Sequence, residues 1–220
     1  MDAEGLRSTY NTYFSSGKNI WTSNDLRKTE KVARRTLEWM RDLGYKKSNL
    51  QILDVGCATG FYTEAFRLQN CHVTGLDYSE IVIEQARQKF PACEFIHMNG
   101  FEPSFNRKFD LIFCLGFSGA NTHDLEFIAG WINKYMPYLS DNGFFVFGYS
   151  SDFSGKEKEG AIVNLSRMEI CTLVTLINGK HRATHLFYYF RFVSKLKRLI
   201  ERHIFGKTVK DYFYIFLQKN

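Results

Sequence analysis

Two glycines and an aspartate carry the first chemical signal. Gly56 and Gly60 lie in a turn that follows the apolar run Ile52-Leu53-Asp54-Val55, and Asp77 closes the next apolar run, 17 residues past Gly60. Glycine lets backbone pass close to a ligand, and the free N–H groups of a helix start favour anionic or hydroxyl-rich groups. A carboxylate at the end of the neighbouring strand can accept hydrogen bonds from both hydroxyls of a ribose. On adjacent parallel strands, both features meet at the carboxyl edge of a sheet, where open α/β folds bind ligands. The pair predicts a pocket for an adenosine-type ligand. A dinucleotide turn is poorly matched, because Ala58 stands between the glycines and Tyr62 and Thr63 occupy the place of a further glycine. A P-loop fails, because no Gly-Lys-Ser/Thr follows.

The elements that must position these residues can be read from periodicity. Residues 21–44 read as a helix, with Thr22 and Asp25 at capping-box spacing, Leu26, Ala33, Leu37, Met40 and Leu43 on one face and Gly44 as the stop. From Gln51 onward, short apolar runs alternate with amphipathic stretches, the pattern of βαβ units and a parallel sheet. Strands are predicted at Gln51 to Val55, Cys71 to Leu76, Glu94 to Met98 and Phe109 to Leu115, with a fifth at Gly143 to Tyr149 after an Asn142-Gly143 turn. One helix starts beyond Gly60 and another near Ser79, ending by Pro91. Leu125, Ile128, Trp131, Ile132, Tyr135 and Leu139 recur at helical spacing. Ser166 and Glu169 form a capping box for a helix, while Asn178-Gly179 also fits a hairpin turn; the helix is the preferred reading. Phe187 to Phe192 and Tyr212 to Gln218 read as strands around a basic amphipathic helix, Val193 to Phe205.

The turn Asp54-Val55-Gly56-Cys57-Ala58-Thr59-Gly60 resembles the Asp-x-Gly-x-Gly-x-Gly motif of class I S-adenosylmethionine (SAM)-dependent methyltransferases, with Ala58 in place of the middle glycine. The resemblance covers about residues 45 to 150. Asp77 matches the acidic ribose ligand, Phe95 to Phe101 the third-strand end, Phe109 to Gly116 the fourth strand, and Leu139 to Val146 the stretch leading into strand five. It implies a Rossmann-like α/β fold: a mostly parallel seven-stranded sheet flanked by helices, with an antiparallel last strand and an N-terminal helical cap. The whole chain, 1–220, is then one domain, with a cap at 1–45, a SAM-binding core at 46–150 and substrate-side elements at 151–220. It implies SAM as cofactor and S-adenosylhomocysteine (SAH) as product. The implied cofactor contacts are Asp54, Gly56, Cys57, Ala58, Gly60, Asp77, Tyr78, Asn99, Gly100, Phe101, Leu115 and Gly116. Asn99 stands where the family usually has Asp facing the adenine amino group, and its carbonyl oxygen can still accept.

The sulfonium of SAM activates the methyl, so the protein must chiefly place a nucleophile in line and exclude water, with a base to take the acceptor's proton. His123, in the loop after strand four, is the candidate base or acceptor-orienting group, with Asp124 to fix its tautomer. Tyr10, Tyr13 and Tyr149 are candidate substrate contacts, and no metal is expected. The stretch Cys114 to His123 resembles the corresponding region of methyltransferases acting on amino groups of nucleotide-linked sugars, which implies an O or N atom of a small molecule, such as a sugar, as acceptor. RNA is the alternative acceptor, though strand four does not end in the Asn-Pro-Pro-Tyr type of motif and no Pro-Cys nucleophile occurs. A non-catalytic partner-binding subunit of the same fold is a further alternative, disfavoured by the retained glycine turn and Asp77.

The 220 residues, 45% hydrophobic and 24% charged, suit one globular domain with a full core. Net charge +6 suits an anionic partner such as nucleic acid, a phosphorylated substrate or a membrane surface, or simply a mildly basic enzyme. In the stretch 191–207, Phe192, Leu196, Leu199, Ile200 and Ile204 oppose Lys195, Lys197, Arg198 and Arg202, a pattern that can lie on anionic lipid or pack on its own domain. Five cysteines without a Cys-x-x-Cys pair read as reduced core thiols of a cytoplasmic protein. Met1 to Tyr10 offers no apolar signal region and no run of about 18 apolar residues occurs, so neither secretion nor membrane spanning is expected.

Overall fold

The computed structural model describes residues 25–151, 163–178, 183–189 and 211–219; Tyr10, Tyr13 and the basic stretch 191–207 lie outside them. Helix α1 (Leu26–Asp42) starts one residue past Asp25, whose extended backbone (φ −119°, ψ 100°) lets its carboxylate accept from the Lys28 N–H at 3.3 Å. Asp25 is itself the N-cap, so it does not act as the third member of a box opened by Thr22, which lies outside the described residues. The helix buries Thr29, Ala33, Thr36, Leu37 and Met40, and its Trp39 meets Phe216 edge-on at 5.5 Å.

Seven strands form one sheet in the order β3-β2-β1-β4-β5-β7-β6: β1 (Gln51–Val55), β2 (His72–Asp77), β3 (Glu94–His97), β4 (Phe109–Leu115), β5 (Leu139–Ser151), β6 (Ala183–Tyr189) and β7 (Asp211–Gln218). The first five pair in parallel, and β7 runs antiparallel to β5 and β6 on either side of it. The central parallel strands β1 and β4 are buried on both faces, as their near-continuous apolar runs require, while β3 exposes Glu94 and His97. Leu53, Ile112, Phe145 and Phe147 face α4 (Leu125–Tyr135) and α5 (Arg167–Asn178). Ile52, Leu111, Phe113 and Phe144 face α1 and α2 (Phe61–Arg67). Helix α3 (Glu80–Lys89) packs Ile83 and Ala86 against Cys57 and Phe95.

The structure moves several boundaries. Leu139 does not close the fourth helix: α4 stops at Tyr135, Pro137 sits in a 3-10 turn, and Leu139 opens β5 while remaining in the same core. The Asn142-Gly143 pair is an irregularity inside β5 and not a turn before it. Pairing passes from Phe109 with Leu139 to Leu111 with Phe144, and Asn142 takes φ 60° to absorb the extra residues. Strand β6 (Ala183–Tyr189) begins earlier than predicted, and residues 190–192 of the predicted strand lie outside the described residues. The Ser166–Glu169 box does cap α5: Oε2 of Glu169 accepts from Ser166 N (2.8 Å) and Oγ (2.6 Å), while Glu169 N donates to Ser166 Oγ (3.3 Å).

At the amino edge of the sheet, fully buried Asp110 ties the α1–β1 connection to β4. Its Oδ1 accepts from the Tyr45 hydroxyl (2.6 Å) and Lys47 Nζ (2.9 Å), and its Oδ2 from Gln51 N (2.8 Å). Burial opposes its charge, but these donors hold the carboxyl below its ordinary value. All five cysteines are free; Cys57, Cys71 and Cys114 are buried, whereas Cys171 is exposed on α5. No described helix is long and apolar enough to cross a membrane.

Candidate cofactor and acceptor site

The parallel pairing brings the carboxyl ends of β1, β2, β3, β4 and β5 to one edge, and strand order reverses between β1 and β4. This is the position at which open α/β sheets hold ligands. The turn after β1 is locked onto β2, with Gly56 N and Cys57 N both donating to Leu76 O at 2.9 Å. Gly56 (φ 72°), Ala58 (φ 46°) and Gly60 (φ 81°) all take left-handed backbone. Ala58, where the family motif has its middle glycine, thus adopts the glycine conformation, which for an L residue costs about 1–2 kcal/mol. At Gly60 a side chain has no room, since a Cβ would sit 2.6 Å from Phe95 Cζ.

Asp77 reaches the turn as predicted, but its carboxylate is engaged there. Oδ2 accepts from Ala58 N and Oδ1 from Ser79 N, each at 3.0 Å, so the side chain braces the turn and the start of α3 and keeps one further lone pair per oxygen. Burial pushes this carboxyl above its ordinary value, against the pull of the Ser79, Ala58 and Tyr78 amides. Asp54 is 2% exposed, and Thr63 Oγ1 of α2 donates to its Oδ2 at 2.7 Å. Burial pushes the Asp54 carboxyl up to about 7; the Thr63 bond opposes the rise and the Asp77 charge adds to it. Thr59 Oγ1 is buried without a hydrogen-bond partner among the described residues.

The ends of β3 and β4 form the other wall. Tyr78 is half-buried, its carbonyl 2.9 Å from His97 Nε2. Asn99 Oδ1 accepts from Phe101 N at 3.0 Å, so the side chain closes its own loop and retains a single lone pair on that oxygen for an adenine. Gly100 O accepts from both Trp131 Nε1 (2.7 Å) and the Tyr135 hydroxyl (2.6 Å), which fixes the third loop onto α4. Phe117 lies flat on Trp131, 4.7 Å between centroids and 14° between planes, and spans from Gly56 to Gly100: a Cβ at either glycine would stand 3.0 or 3.1 Å from its ring. Trp131 and Tyr135 had shown only helical spacing and Phe117 carried no signal, so their part in shaping the site was not predicted. Beyond Leu115, Gly116 (φ 71°) opens onto space, with nothing within 4 Å of a Cβ there.

His123 follows this loop and is half-exposed, but its partner is not Asp124. The Asp124 carboxylate caps α4 by accepting from Phe127 N at 2.9 Å. Glu169 Oε1 of α5 lies 2.6 Å from His123 Nδ1 instead, while Oε2 is held by Ser166. Burial works against the Glu169 charge, yet Ser166 and His123 together keep its carboxyl low. Tyr149 is 2% exposed and donates its hydroxyl to Asn121 Oδ1 (2.9 Å), which also accepts from Val163 N (2.7 Å). It therefore packs the acceptor-side loop from beneath.

A family model described as a methyltransferase domain matches residues 52–135. The malonyl-[acyl-carrier protein] O-methyltransferase of Acetivibrio thermocellus is 34% identical over 124 residues, covering 54% of this chain. The matched region is 42% of that protein, so the chain spans less than half of the length of this relative. Among solved structures, the plantazolicin methyltransferase BpumL in complex with SAH superimposes at a TM-score of 0.65 with 17% identity, over 100% of this chain and 91% of that one. Magnesium protoporphyrin IX methyltransferase from Synechocystis PCC 6803 with bound SAM gives 0.61 with 14% identity, over 100% of both chains. At these identities the likeness is one of fold, and it coincides with the methyltransferase-domain match over the glycine turn and the first four strands. Over residues 52–135 the chain is similar to a methyltransferase domain, and its fold is that of class I SAM-dependent methyltransferases.

Proposed function

We propose that the chain binds SAM at the ends of β1 and β2 and catalyses methyl transfer to an oxygen or nitrogen of a small-molecule acceptor held beyond β4 and β5. The observation that carries this reading is the turn itself. It combines left-handed glycines that allow close approach, a buried Thr59 hydroxyl lacking a partner among the described residues, and open space above Gly116. An amino-acid-bearing nucleoside fits such donors, whereas a diphosphate would call for a further glycine where Tyr62 and Thr63 stand. Asp54, Gly56, Cys57, Ala58, Gly60 and Asp77 would hold the cofactor from one side. Tyr78, Asn99, Gly100, Phe101, Leu115 and Gly116 would enclose it from the other. SAM, when bound, supplies a methyl already activated by its sulfonium, so the protein's contribution is alignment and exclusion of water.

The acceptor's proton falls to His123, with Nδ1 turned to Glu169 and Nε2 as the second ring nitrogen. A metabolite-sized acceptor, a sugar or another hydroxyl- or amine-bearing molecule, suits a site whose loop after β4 is short and closed by Tyr149 and Asn121. The relative's name, an O-methyltransferase of a malonyl-[acyl-carrier protein], supports methyl transfer to oxygen. Incubation with methyl-labelled SAM and either a small-metabolite extract or total RNA tests the acceptor. Label in a low-molecular-weight product supports the proposal, and label confined to RNA refutes it.

A further inference from the structure

Asp54 differs from the buried carboxylates Asp110 and Glu64 in what surrounds it. Asp110 is met by Lys47, and Glu64 by Arg67 at 2.6 Å. Among the described residues, the titratable groups facing Asp54 are Asp77 from β2, Cys57 from the turn and Cys114 from β4, and all of them are acids. From α2 both donors to it belong to Thr63, the hydroxyl at 2.7 Å and the backbone amide, and neither carries a charge. Two carboxylates thus sit 2% and 6% exposed at one turn, beside a third buried polar atom, Thr59 Oγ1, that has no partner among the described residues. A buried negative charge with no cation to answer it is expensive, and such a group takes up a proton instead. The missing positive charge is one a cationic ligand can bring.

Resting on the reading of SAM as the ligand, we propose that binding of the cofactor expels a proton from this turn, with Asp54 as the group that gives it up. In balance, a cationic ligand in this turn would favour the carboxylate form of Asp54, and the one proton its neutral carboxyl gives up would leave to solvent. With SAH, which carries no sulfonium charge, Asp54 would keep its proton. Asp54 therefore sets the preference of the site for SAM over SAH. That preference is greatest above neutral pH and is lost on acidification.

The burial-raised carboxyl, at about 7 in the free protein, fixes the pH window. SAM affinity should be about tenfold weaker at pH 6 than at pH 8, with roughly half a proton released per SAM near pH 7, while SAH affinity changes far less. Titration calorimetry with SAM and SAH at pH 6, 7 and 8, in phosphate and in Tris, whose ionisation heats differ, reads affinity and proton release together. Asp54→Asn keeps an acceptor for Thr63 and should lose the excess release; the ligands' own ammonium titration is common to both proteins and subtracts out. A SAM affinity that parallels SAH across the range, or an Asn variant that releases as many protons as the wild type, overturns the proposal. Failure of the folded protein to bind either ligand at any pH overturns the cofactor reading itself, and the proton linkage with it.

Discussion

Replacing Gly60 by alanine should test how tightly the turn is built. At φ 81° an alanine carries the left-handed penalty of about 1–2 kcal/mol. Its Cβ would stand 2.6 and 2.8 Å from Phe95 Cζ and Cε1, and 3.2 Å from Phe90 Cδ2. Phe95 is 5% exposed and packed among Cys57, Ile83 and Ala86, so it has no open side into which to move. Such overpacking adds about 1–3 kcal/mol. Loss of glycine's freedom in the unfolded chain returns about 0.4–1 kcal/mol. The net cost should be roughly 2–4 kcal/mol. Gly116→Ala isolates the backbone part, because its φ is 71° with nothing within 4 Å of a Cβ, and should cost only about 1 kcal/mol. Urea unfolding of the ligand-free proteins measures both, with the slope m checked for constancy. Equal losses in the two variants would refute the claim that Phe95 fills the space above Gly60. Combining Gly60→Ala with Phe95→Leu should then recover part of the loss.

Asp110→Ala removes the acceptor for Tyr45, Lys47 and the Gln51 N–H, and should cost about 3–4 kcal/mol in thermal or urea unfolding at neutral pH. Because its folded carboxyl is held low, that contribution is full above an unfolded value near 4, and it is lost as pH falls through the lower folded value. The gap between wild type and variant should therefore close on acidification, and a gap that widens would contradict this. Asp54 has the opposite sign. With a folded carboxyl at about 7, the unfolded chain ionises first, so stability declines from about pH 4 to 7 by up to about 4 kcal/mol. Relative to wild type, ligand-free Asp54→Asn should gain about 2–3 kcal/mol between pH 5 and 7.5, and an advantage that does not grow with pH would count against it. Trp131→Phe deletes one of the two donors to Gly100 O while keeping a ring beneath Phe117. It should cost about 1 kcal/mol of stability and lower SAM affinity several-fold; an unchanged affinity would remove this helix from the site.

The glycine turn and Asp77 were legible because residue type and spacing alone restrict what a strand–turn–helix can do. The parallel strands were legible from their apolar runs, and the Ser166–Glu169 cap from its spacing. What escaped depends on contacts across the sheet. The hydroxyl of Tyr135 and the indole of Trp131 look like any helical core positions until α4 lies under the third loop. Glu169 could be read as a capping residue, but that its second oxygen meets His123, 46 positions earlier, follows only from α5 packing on α4. Local chemistry misassigned Asp124, because a carboxylate beside a histidine is also an excellent N-cap, and the cap prevailed. Leu139 matched the helical period because strand and helix bury it in the same core. The unanswered charge of Asp54 has no local signal at all.

The central claim, a SAM pocket at the ends of β1 and β2, is tested most directly by calorimetry of the folded protein with SAM, SAH and NAD. Saturable binding of SAM and SAH, weakened at least tenfold in Asp77→Ala, with no NAD binding, is the predicted result. NAD binding in the absence of SAM binding would contradict it.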